Sequence, residues 1–335
     1  MSQSPQQPPP PEIVFATSVA DGDTSTSIVL DLPEGEQIST GRIAVETYPD
    51  VVYATRDLGA GRSLELAVDL LVPQTDEAKP LVLFLSGGGF VVSPKEAALE
   101  RRRYVAEAGY VVASARYRTI MDGATYADGV ADVKSAIRFL RAHAARYGID
   151  PARVAVWGES AGGYLAAMTG ASNGVDRFET PDNPDHSSDV QAVVDQFGPS
   201  DLLNLAADFD EAARRAHAAP GTPAAAYVFG PSPDGRGRAL ADDPAAVALA
   251  DPATYVRSGT PPFLLFHGSR DTMISPSQTL LLHTALRAHG VESTRYVLTG
   301  AGHGDLGFMG DEKSGLPWNT QQTMGLIVDF LNARL

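Results

Sequence analysis

The sequence predicts an α/β protein with a mostly parallel central sheet and helices on both of its faces. Short apolar runs typical of buried strands alternate along the chain with apolar stripes at helical spacing, and glycines mark several of the turns between them. Alternation of this kind favours parallel pairing, since each helix returns the chain across the sheet. We expect a disordered Pro-rich arm at residues 1–12 and one folded α/β domain at residues 13–335.

The predicted elements begin with an antiparallel hairpin at the edge of the sheet. Residues 51–58 and 63–72 alternate apolar and polar side chains on either side of a Gly-Ala-Gly turn. The continuous apolar run at 81–85 is typical of a strand buried on both faces. The remaining predicted strands lie at 110–115, 153–157, 190–194, 263–266 and 294–298, and the helices at 95–108, 128–148, after 163, at 276–289 and near the C-terminus.

Residues 201–259 interrupt this alternation. The segment is rich in Ala, Asp, Pro and Gly and shows no clear periodicity. It is too long for a connecting loop in a compact domain. We therefore predict an inserted, partly helical cap or lid over the carboxyl edge of the sheet.

The composition excludes several classes of protein. The 335 residues contain no cysteine, which excludes disulfides, thiolate metal sites and a cysteine nucleophile. The 41 acidic and 26 basic residues give a formal charge of -15, which argues against a nucleic-acid partner. No run approaches the ~20 apolar residues of a membrane span, and no signal peptide is visible. We expect a cytoplasmic location, or a secreted or periplasmic one if a signal sequence has been removed ahead of Met1.

A serine lies at the turn between a predicted strand and the helix that follows it. The strand at 153–157 leads directly into GESAG at 158–162, which places Ser160 in a G-x-S-x-G pattern. Such a turn strains the serine backbone, and the helix directs its positive end at the serine oxygen. A Gly-rich turn without chemistry is the alternative, and the strand and helix around it favour a nucleophile.

Three glycines follow the first buried strand, in the run SGGGF at 86–90. Their backbone N–H groups are unobstructed and can point at a developing negative oxygen. A phosphate cradle is a competing interpretation, but the chain contains neither G-x-x-x-x-G-K-[ST] nor G-x-G-x-x-G. A flexible bend is the remaining alternative.

One of the seven histidines is suited to act as the base for Ser160. His303 follows the last predicted strand in GAGHG at 300–304, where the glycines allow it to reach across the sheet edge. The other six fall in predicted helices, in polar loops or, for His267, at a strand end that suits a structural hydrogen bond: His143, His186, His217, His267, His283 and His289.

The orienting acid is expected after a strand that precedes the histidine. Asp271 lies in the turn that follows the strand at 263–266, and a carboxylate there can hold the imidazole in the right tautomer. Asp195 and Asp201 are rivals near the end of the previous strand. Asp305 lies two residues after the histidine, where a carboxylate more often caps a turn.

With nucleophile, acid and base in this order, the sequence resembles the α/β-hydrolase esterase/lipase family. Its closest branches are the hormone-sensitive-lipase-like carboxylesterases and the bacterial feruloyl/acetyl-xylan esterases. The resemblance extends from about residue 48 to the C-terminus, in PLVLFLSGGGF, RYGIDPARVAVWGESAGGYLAA, VDQFGPSDLL, PPFLLFHGSRD and GAGHGD. It implies that Ser160 is the nucleophile, Asp271 the acid and His303 the base. The oxyanion donors that it implies are Gly88, Gly89 and the N–H of Ala161.

The sequence departs from the family at one position before the three glycines. The family usually has a histidine there, which helps to fix the glycine loop by hydrogen bonding, whereas this chain has Ser86. We expect the Ser86 hydroxyl to take over part of that role. Candidate walls of the substrate pocket, with core packing as the alternative for each, are Phe90, Phe197, Phe229 and Phe308.

The predicted function is that of a serine carboxylesterase that forms an acyl-enzyme with small-to-medium acyl or aryl esters. No metal or organic cofactor is expected, and the expected partner is a small-molecule ester. The first alternative is an amidase or peptidase that uses the same triad. The second is a binding protein that has kept the fold without the chemistry.

Overall fold

A computed structural model describes residues 14–32, 35–75, 77–232, 236–304 and 312–335. The predicted arm at 1–12 lies outside the described residues, as do Phe308 and the rival carboxylate Asp305.

Nine strands in these ranges form a single sheet. In chain order they are β1 (Ile28–Leu30), β2 (Val45–Asp57), β3 (Ser63–Pro73), β4 (Lys79–Leu85), β5 (Val111–Ala115), β6 (Ile149–Glu159), β7 (Ala192–Gln196), β8 (Phe263–Gly268) and β9 (Ser293–Leu298). Across the sheet the order is β1-β9-β8-β7-β6-β4-β5-β3-β2. Strand β3 pairs antiparallel with β2 and β5, and the other pairs are parallel. The predicted α/β class, with a mostly parallel sheet and an antiparallel leading hairpin, is confirmed.

The α-helices of the described residues pack on both faces of this sheet. They are α1 (Leu99–Glu107), α2 (Tyr126–Ala142), α3 (Ala161–Ala171), α4 (Glu211–His217), α5 (Pro223–Phe229), α6 (Pro244–Ala248), α7 (Ser277–Ala288), α8 (Glu312–Gly315) and α9 (Gln321–Arg334). None of the helices in these ranges combines the length and apolar character needed to cross a membrane.

Strand β4 shows how the core is divided between the two faces. Leu81, Leu83 and Leu85 join the cluster that includes residues of α2, α3 and α7. Val82 and Phe84 join the cluster on the other face, with residues of α1 and α9. All five side chains are fully buried, and burial of each contributes about 1.5–3 kcal/mol. The prediction of a strand buried on both faces is therefore confirmed.

The segment at 201–259, which we call the insertion, folds into short helices between β7 and β8. It contains α4, α5 and α6 with short 3-10 turns between them. The Tyr164 hydroxyl of α3 donates a 2.7 Å hydrogen bond to the carbonyl of Ala250 and so ties the insertion to the body of the protein.

Residues 14–20, which we call the N-terminal segment, lie against the insertion. The Ala16 amide donates to the carbonyl of Thr272 at 2.9 Å. The amide and hydroxyl of Thr17 both donate to a carboxylate oxygen of Asp210, at 2.8 and 2.9 Å. Asp210 also caps the N-terminus of α4. This segment therefore links the start of α4 to the loop that follows β8.

Candidate active site

Ser160 occupies a strained turn between β6 and α3. Its backbone has φ +53° and ψ -121°, a conformation that residues other than glycine rarely adopt. The Ser160 amide donates to the carbonyl of Gln196 at 2.9 Å, which holds the turn against the end of β7. The turn places the serine hydroxyl above the carboxyl edge of the sheet.

The glycines on either side of the serine are required by close backbone approach. A Cβ on Gly158 would lie 2.1 Å from the carbonyl oxygen of Gly162. A Cβ on Gly162 would lie 2.0 Å from the carbonyl oxygen of Leu85, at the end of β4. No side chain fits at either position without a shift of the backbone.

Ser160, His303 and Asp271 form a continuous hydrogen-bonded chain. The distance from Ser160 Oγ to His303 Nε2 is 2.8 Å, and that from His303 Nδ1 to Asp271 Oδ2 is 2.7 Å. Because an ionised carboxylate only accepts hydrogen bonds, His303 donates through Nδ1 and accepts the serine proton at Nε2. These three residues are the ones that the sequence suggests as nucleophile, base and acid.

The surroundings of Asp271 hold its carboxyl group in the ionised form. The amides of Met273 and Ile274 each donate to Oδ1 at 2.9 Å. Burial raises the pKa of Asp271, but the charge of His303 and hydrogen bonds from His267 and His303 outweigh it, and the pKa lies below its ordinary value. The carboxylate is therefore fixed in charge and in orientation.

The two loops that carry the acid and the histidine are joined through their backbones. The Arg270 amide donates to the carbonyl of Ala301 at 2.9 Å. A Cβ on Gly268 would lie 2.4 Å from the same carbonyl oxygen, so glycine is needed for this approach. The separation of Asp271 and His303 is thus set by main-chain contacts.

The rival carboxylates within the described residues make other contacts. Asp195 is fully buried on β7, and its Oδ1 accepts from the amide of Gly198 at 2.8 Å. Asp201 accepts a 2.7 Å hydrogen bond from the side chain of Asn204. Neither carboxylate is hydrogen-bonded to His303.

Phe197 supports His303 from behind. Its ring packs edge to face on the imidazole with 4.6 Å between centroids, and it packs on Trp318 at the same separation. Its backbone has φ +49°, an unusual value for an aromatic residue. Phe197, which was predicted as a pocket wall, lies against the catalytic histidine candidate.

The glycine loop after β4 has a backbone that only glycine adopts easily. Gly88 has φ +159° and Gly89 has φ +60°. A Cβ on Gly87 would lie 3.0 Å from Ser160 Cβ, so the loop passes close to the nucleophile candidate. In the described part of the chain the amides of Gly88, Gly89 and Ala161 donate to no protein group. They are free to serve as oxyanion donors.

A tyrosine, rather than the Ser86 hydroxyl, fastens the start of this loop. The Tyr117 hydroxyl donates to the carbonyl of Ser86 at 2.7 Å, and both residues are buried. The Oγ of Ser86 is buried and has no hydrogen-bond partner among the described residues. The expectation that this hydroxyl helps to fix the loop is therefore wrong.

A cavity of about 80 Å³ lies beside Ser160. Its walls come from the N-terminal segment, the glycine loop, the insertion and the loop after Asp271, and they include Val14, Phe90, Leu205, His217, Met273 and Ile274. Burial lowers the pKa of His217, which keeps this wall uncharged at neutral pH. The cavity thus offers a largely apolar surface next to the serine hydroxyl.

Three of the four predicted pocket phenylalanines lie within the described residues, and they have different positions. Phe90 lines the cavity and stacks on Tyr227, with 4.7 Å between ring centroids. Phe197 lies behind the imidazole, as described above. Phe229 lies at the end of α5 beneath the guanidinium of Arg238, 3.9 Å from its ring centroid, and does not line the cavity.

The structural hydrogen bond expected of His267 is present, since its ring nitrogens contact the hydroxyl of Thr279 and the carbonyl of Ile274. Sequence reasoning missed its approach to the acid and two residues of the cavity wall. His267 reaches the acid, with 3.3 Å between its Nε2 and Asp271 Oδ2. Val14 and His217 line the cavity from segments without clear periodicity. The H-G-x-x-D spacing from His267 to Asp271 was the only available signal, because it places both side chains in one tight turn.

The fold and the site together define an α/β-hydrolase. The sheet is mostly parallel, the strained Ser160 follows β6, Asp271 follows β8, and His303 follows β9. The family model described as BD-FAE matches residues 68–286. The chain belongs to the BD-FAE family.

Curated proteins that are similar to this chain carry the names of esterases. The probable isoprenylcysteine alpha-carbonyl methylesterase ICMEL1 of Arabidopsis thaliana is 27% identical over 265 residues, which cover 78% of this chain and 53% of that protein. The chain spans about half the length of the curated relatives that it matches.

Two solved structures share the fold over most of their length. A truncated carbohydrate esterase from gut microbiota has a TM-score of 0.72 and 24% identity, with 88% of this chain and 98% of that one covered. The propionate-bound esterase 2 of Thermogutta terrifontis has a TM-score of 0.62 and 26% identity, with 85% and 94% covered.

Proposed function

We propose that the protein is a serine carboxylesterase in which Ser160 is the nucleophile, His303 the base and Asp271 the orienting acid. The observation that carries the proposal is the chain of 2.8 and 2.7 Å hydrogen bonds that ends at a serine hydroxyl on the cavity wall. The names of ICMEL1 and of the Thermogutta enzyme support an ester substrate. Structures of the Thermogutta esterase phosphorylated by paraoxon support a reactive nucleophile in this class of fold.

The first step forms an acyl-enzyme. His303 Nε2 takes the proton of Ser160 as the serine oxygen attacks the ester carbonyl carbon. The carbonyl oxygen becomes negative and accepts hydrogen bonds from the amides of Gly88, Gly89 and Ala161. Loss of one such donor raises the barrier by about 3 kcal/mol. The tetrahedral intermediate then expels the alcohol, which leaves with the proton held by His303.

The second step returns the enzyme to its starting state. A water molecule gives its proton to His303 and attacks the acyl carbon, and the serine oxygen leaves with that proton as the carboxylic acid is released. Asp271 stays ionised throughout, since its role is to orient the imidazole and stabilise its positive form.

The cavity favours a short, apolar acyl group. Its volume of about 80 Å³ and its Val, Phe, Leu, Met and Ile walls suit a small-to-medium acyl or aryl substituent. A charged acyl group would lose its hydration against these walls without a partner of opposite charge. We therefore place the acyl side of the ester in this cavity.

The nucleophile is tested by turnover of p-nitrophenyl esters of increasing acyl length. We expect Ser160→Ala to lose hydrolysis by several orders of magnitude, while the control Ser114→Ala, at a buried serine of β5, keeps it. Treatment with paraoxon followed by peptide mass spectrometry should locate the adduct on Ser160. Undiminished turnover by Ser160→Ala would refute the assignment.

The same assay separates an esterase from an amidase. We expect p-nitrophenyl acetate to be hydrolysed far faster than the matching p-nitroanilide, since the proposed enzyme acts on esters. Faster cleavage of the anilide would favour the amidase.

A further inference from the structure

A second imidazole contacts the acid of the proposed triad. His267 lies at the end of β8, and its Nε2 is 3.3 Å from Asp271 Oδ2, the oxygen that His303 also binds. The same Nε2 is 3.0 Å from the carbonyl oxygen of Ile274. The side chains of His267 and Asp271 are completely buried. The contact is therefore shielded from water.

The partners of His267 determine which of its nitrogens carries a proton. The carbonyl of Ile274 only accepts hydrogen bonds, so Nε2 must be the donor. The other nitrogen, Nδ1, lies 3.0 Å from the hydroxyl of Thr279 on α7. A neutral ring accepts at Nδ1 when it donates at Nε2, so this hydroxyl donates to the ring.

A buried arginine is the next donor in this series of hydrogen bonds. Arg295 on β9 donates through Nε to the hydroxyl of Thr279 at 3.0 Å, and an arginine can only donate. The hydroxyl oxygen therefore accepts from Arg295, and in the arrangement proposed below it gives its own proton to Nδ1 of His267. Burial lowers the pKa of Arg295 to about 10, which still leaves it charged at neutral pH. The guanidinium also donates to the hydroxyl of Ser27 and to the carbonyl of Pro276.

We propose that His267 is a positioning residue for Asp271, held as the neutral Nε2–H tautomer by Thr279 and Arg295. The proposal rests on the proposed function, in which Asp271 orients His303. Asp271 then accepts two amide hydrogen bonds at Oδ1 and the hydrogen bond of His303 at Oδ2, and the Nε2–H of His267, which also faces the carbonyl of Ile274, lies 3.3 Å from the same Oδ2. In this proposal the three hydrogen bonds and the nearby Nε2–H of His267 resist rotation of the carboxylate as the charge of His303 changes during turnover.

The first test compares two buried histidines. His267→Leu removes the donor, and His283→Leu is its matched control, since His283 is also buried and bonded to a hydroxyl but belongs to another network. We expect His267→Leu to lower kcat by about 10- to 100-fold with little change in KM. His267→Gln replaces the Nε2–H of the histidine by an amide N–H, and we expect it to recover most of the lost kcat. Equal kcat in the two leucine variants would overturn the proposal.

The pH profile separates positioning from a loss of structure. Without the His267 donor more negative charge stays on Asp271 Oδ2, which favours the protonated imidazole of His303. We expect the acid limb of kcat/KM to move to higher pH in His267→Leu and to stay in place in His283→Leu. A lower kcat with an unmoved acid limb would contradict the proposal.

Substitutions at Thr279 test the relay from Arg295. Thr279→Val replaces the hydroxyl by a methyl group of similar size, and Thr279→Ser keeps the hydroxyl and removes the methyl group. We expect the valine variant to share the acid-limb shift of His267→Leu and the serine variant to match the wild type. Two variants with the same profile would refute the role of the hydroxyl.

A direct readout needs no turnover. Histidine-ring nitrogen–proton NMR of the wild-type protein at neutral pH, assigned with His267→Gln, should show a neutral ring protonated at Nε2. An Nδ1–H tautomer or a charged ring would overturn the proposal. The proposed function fails separately, through Ser160→Ala: loss of turnover there together with wild-type behaviour of His267→Leu refutes the positioning role alone.

Discussion

The ring of Phe197 packs edge to face on the imidazole of His303, with 4.6 Å between their centroids. The same phenylalanine packs on Trp318, whose indole N–H donates to the carbonyl of Gly302, next to the histidine. The aromatic pair therefore forms the back wall of the histidine loop. Phe197, which does not line the cavity beside Ser160, thus restricts the angle at which the imidazole meets Ser160.

We expect Phe197→Leu to lower kcat by about 10-fold, because His303 loses its support, while the free energy of unfolding falls by about 1 kcal/mol for each lost aromatic pair. Phe178→Leu is a matched control, since Phe178 is equally buried and has two aromatic partners in another part of the core. Ester turnover and thermal unfolding of both variants check the prediction. It fails if the two variants lose kcat equally.

The start of the glycine loop gives a second prediction, on Tyr117 and Ser86. Tyr117→Phe leaves the buried carbonyl of Ser86 without its donor, so we expect a loss of about 1–3 kcal/mol in unfolding free energy and lower kcat. Ser86→Ala removes a buried hydroxyl that has no described partner, and we expect unchanged or higher stability. Denaturant unfolding measures both effects. A larger loss of unfolding free energy in Ser86→Ala than in Tyr117→Phe would contradict this account.

Asp195 should make the stability of the protein depend on pH. Burial raises the pKa of its carboxyl from the ordinary value of 3.8 to about 7. Because the folded state binds this proton more tightly than the unfolded state, its contribution is fully present at low pH and is lost as the pH rises from about 4 to about 7. Asp195→Asn, which mimics the neutral carboxyl, should therefore gain stability relative to the wild type over that range.

Thermal unfolding across this pH range measures the difference. Asp201→Asn is the control, since Asp201 lies close by on the chain and is only partly buried. A constant difference between wild type and Asp195→Asn at every pH would show that Asp195 titrates in the same way in the folded and unfolded states.

The N-terminal segment should influence which ester is accepted. Val14 lines the cavity, so Val14→Phe reduces the space beside Ser160 and Val14→Ala enlarges it. We expect the first variant to favour acetyl over longer acyl esters in kcat/KM, and the second to shift the preference the other way by up to about 10-fold. Val19→Phe, in the same segment but outside the cavity lining, is the control. An identical acyl preference in all variants would show that Val14 does not limit the acyl group.

The sequence predicted those parts of the site that depend on local backbone patterns. Ser160 lies in a strand–turn–helix motif, and His303 is flanked by glycines, so each has a signal within a few residues. Asp271 follows a recognisable strand. The link from His267 through Thr279 to Arg295 joins three separate elements, and only the tertiary structure brings them together.

Other features were missed because their signals were weak. Strand β1 has only three residues, Ile28–Leu30, and this run is too short to be told from an apolar stretch of a loop. The predicted helix from residue 95 begins at Leu99 in the structure. The cavity walls at Leu205 and His217 come from the insertion. Its composition does not predict where these two side chains lie or that they face the cavity.

The proposed chemistry and the walls of the cavity come from different stretches of the chain. Ser160, Asp271 and His303 follow strands whose turns are locked by close glycine contacts, whereas Leu205 and His217 belong to an insertion of short helices. None of the three residues of the proposed triad lies in residues 201–259, so we expect mutations there to change the cavity walls more than the reacting atoms. We expect this division to favour evolution of new substrate preferences. Related proteins can then differ in the ester that they accept and share the same proposed reaction.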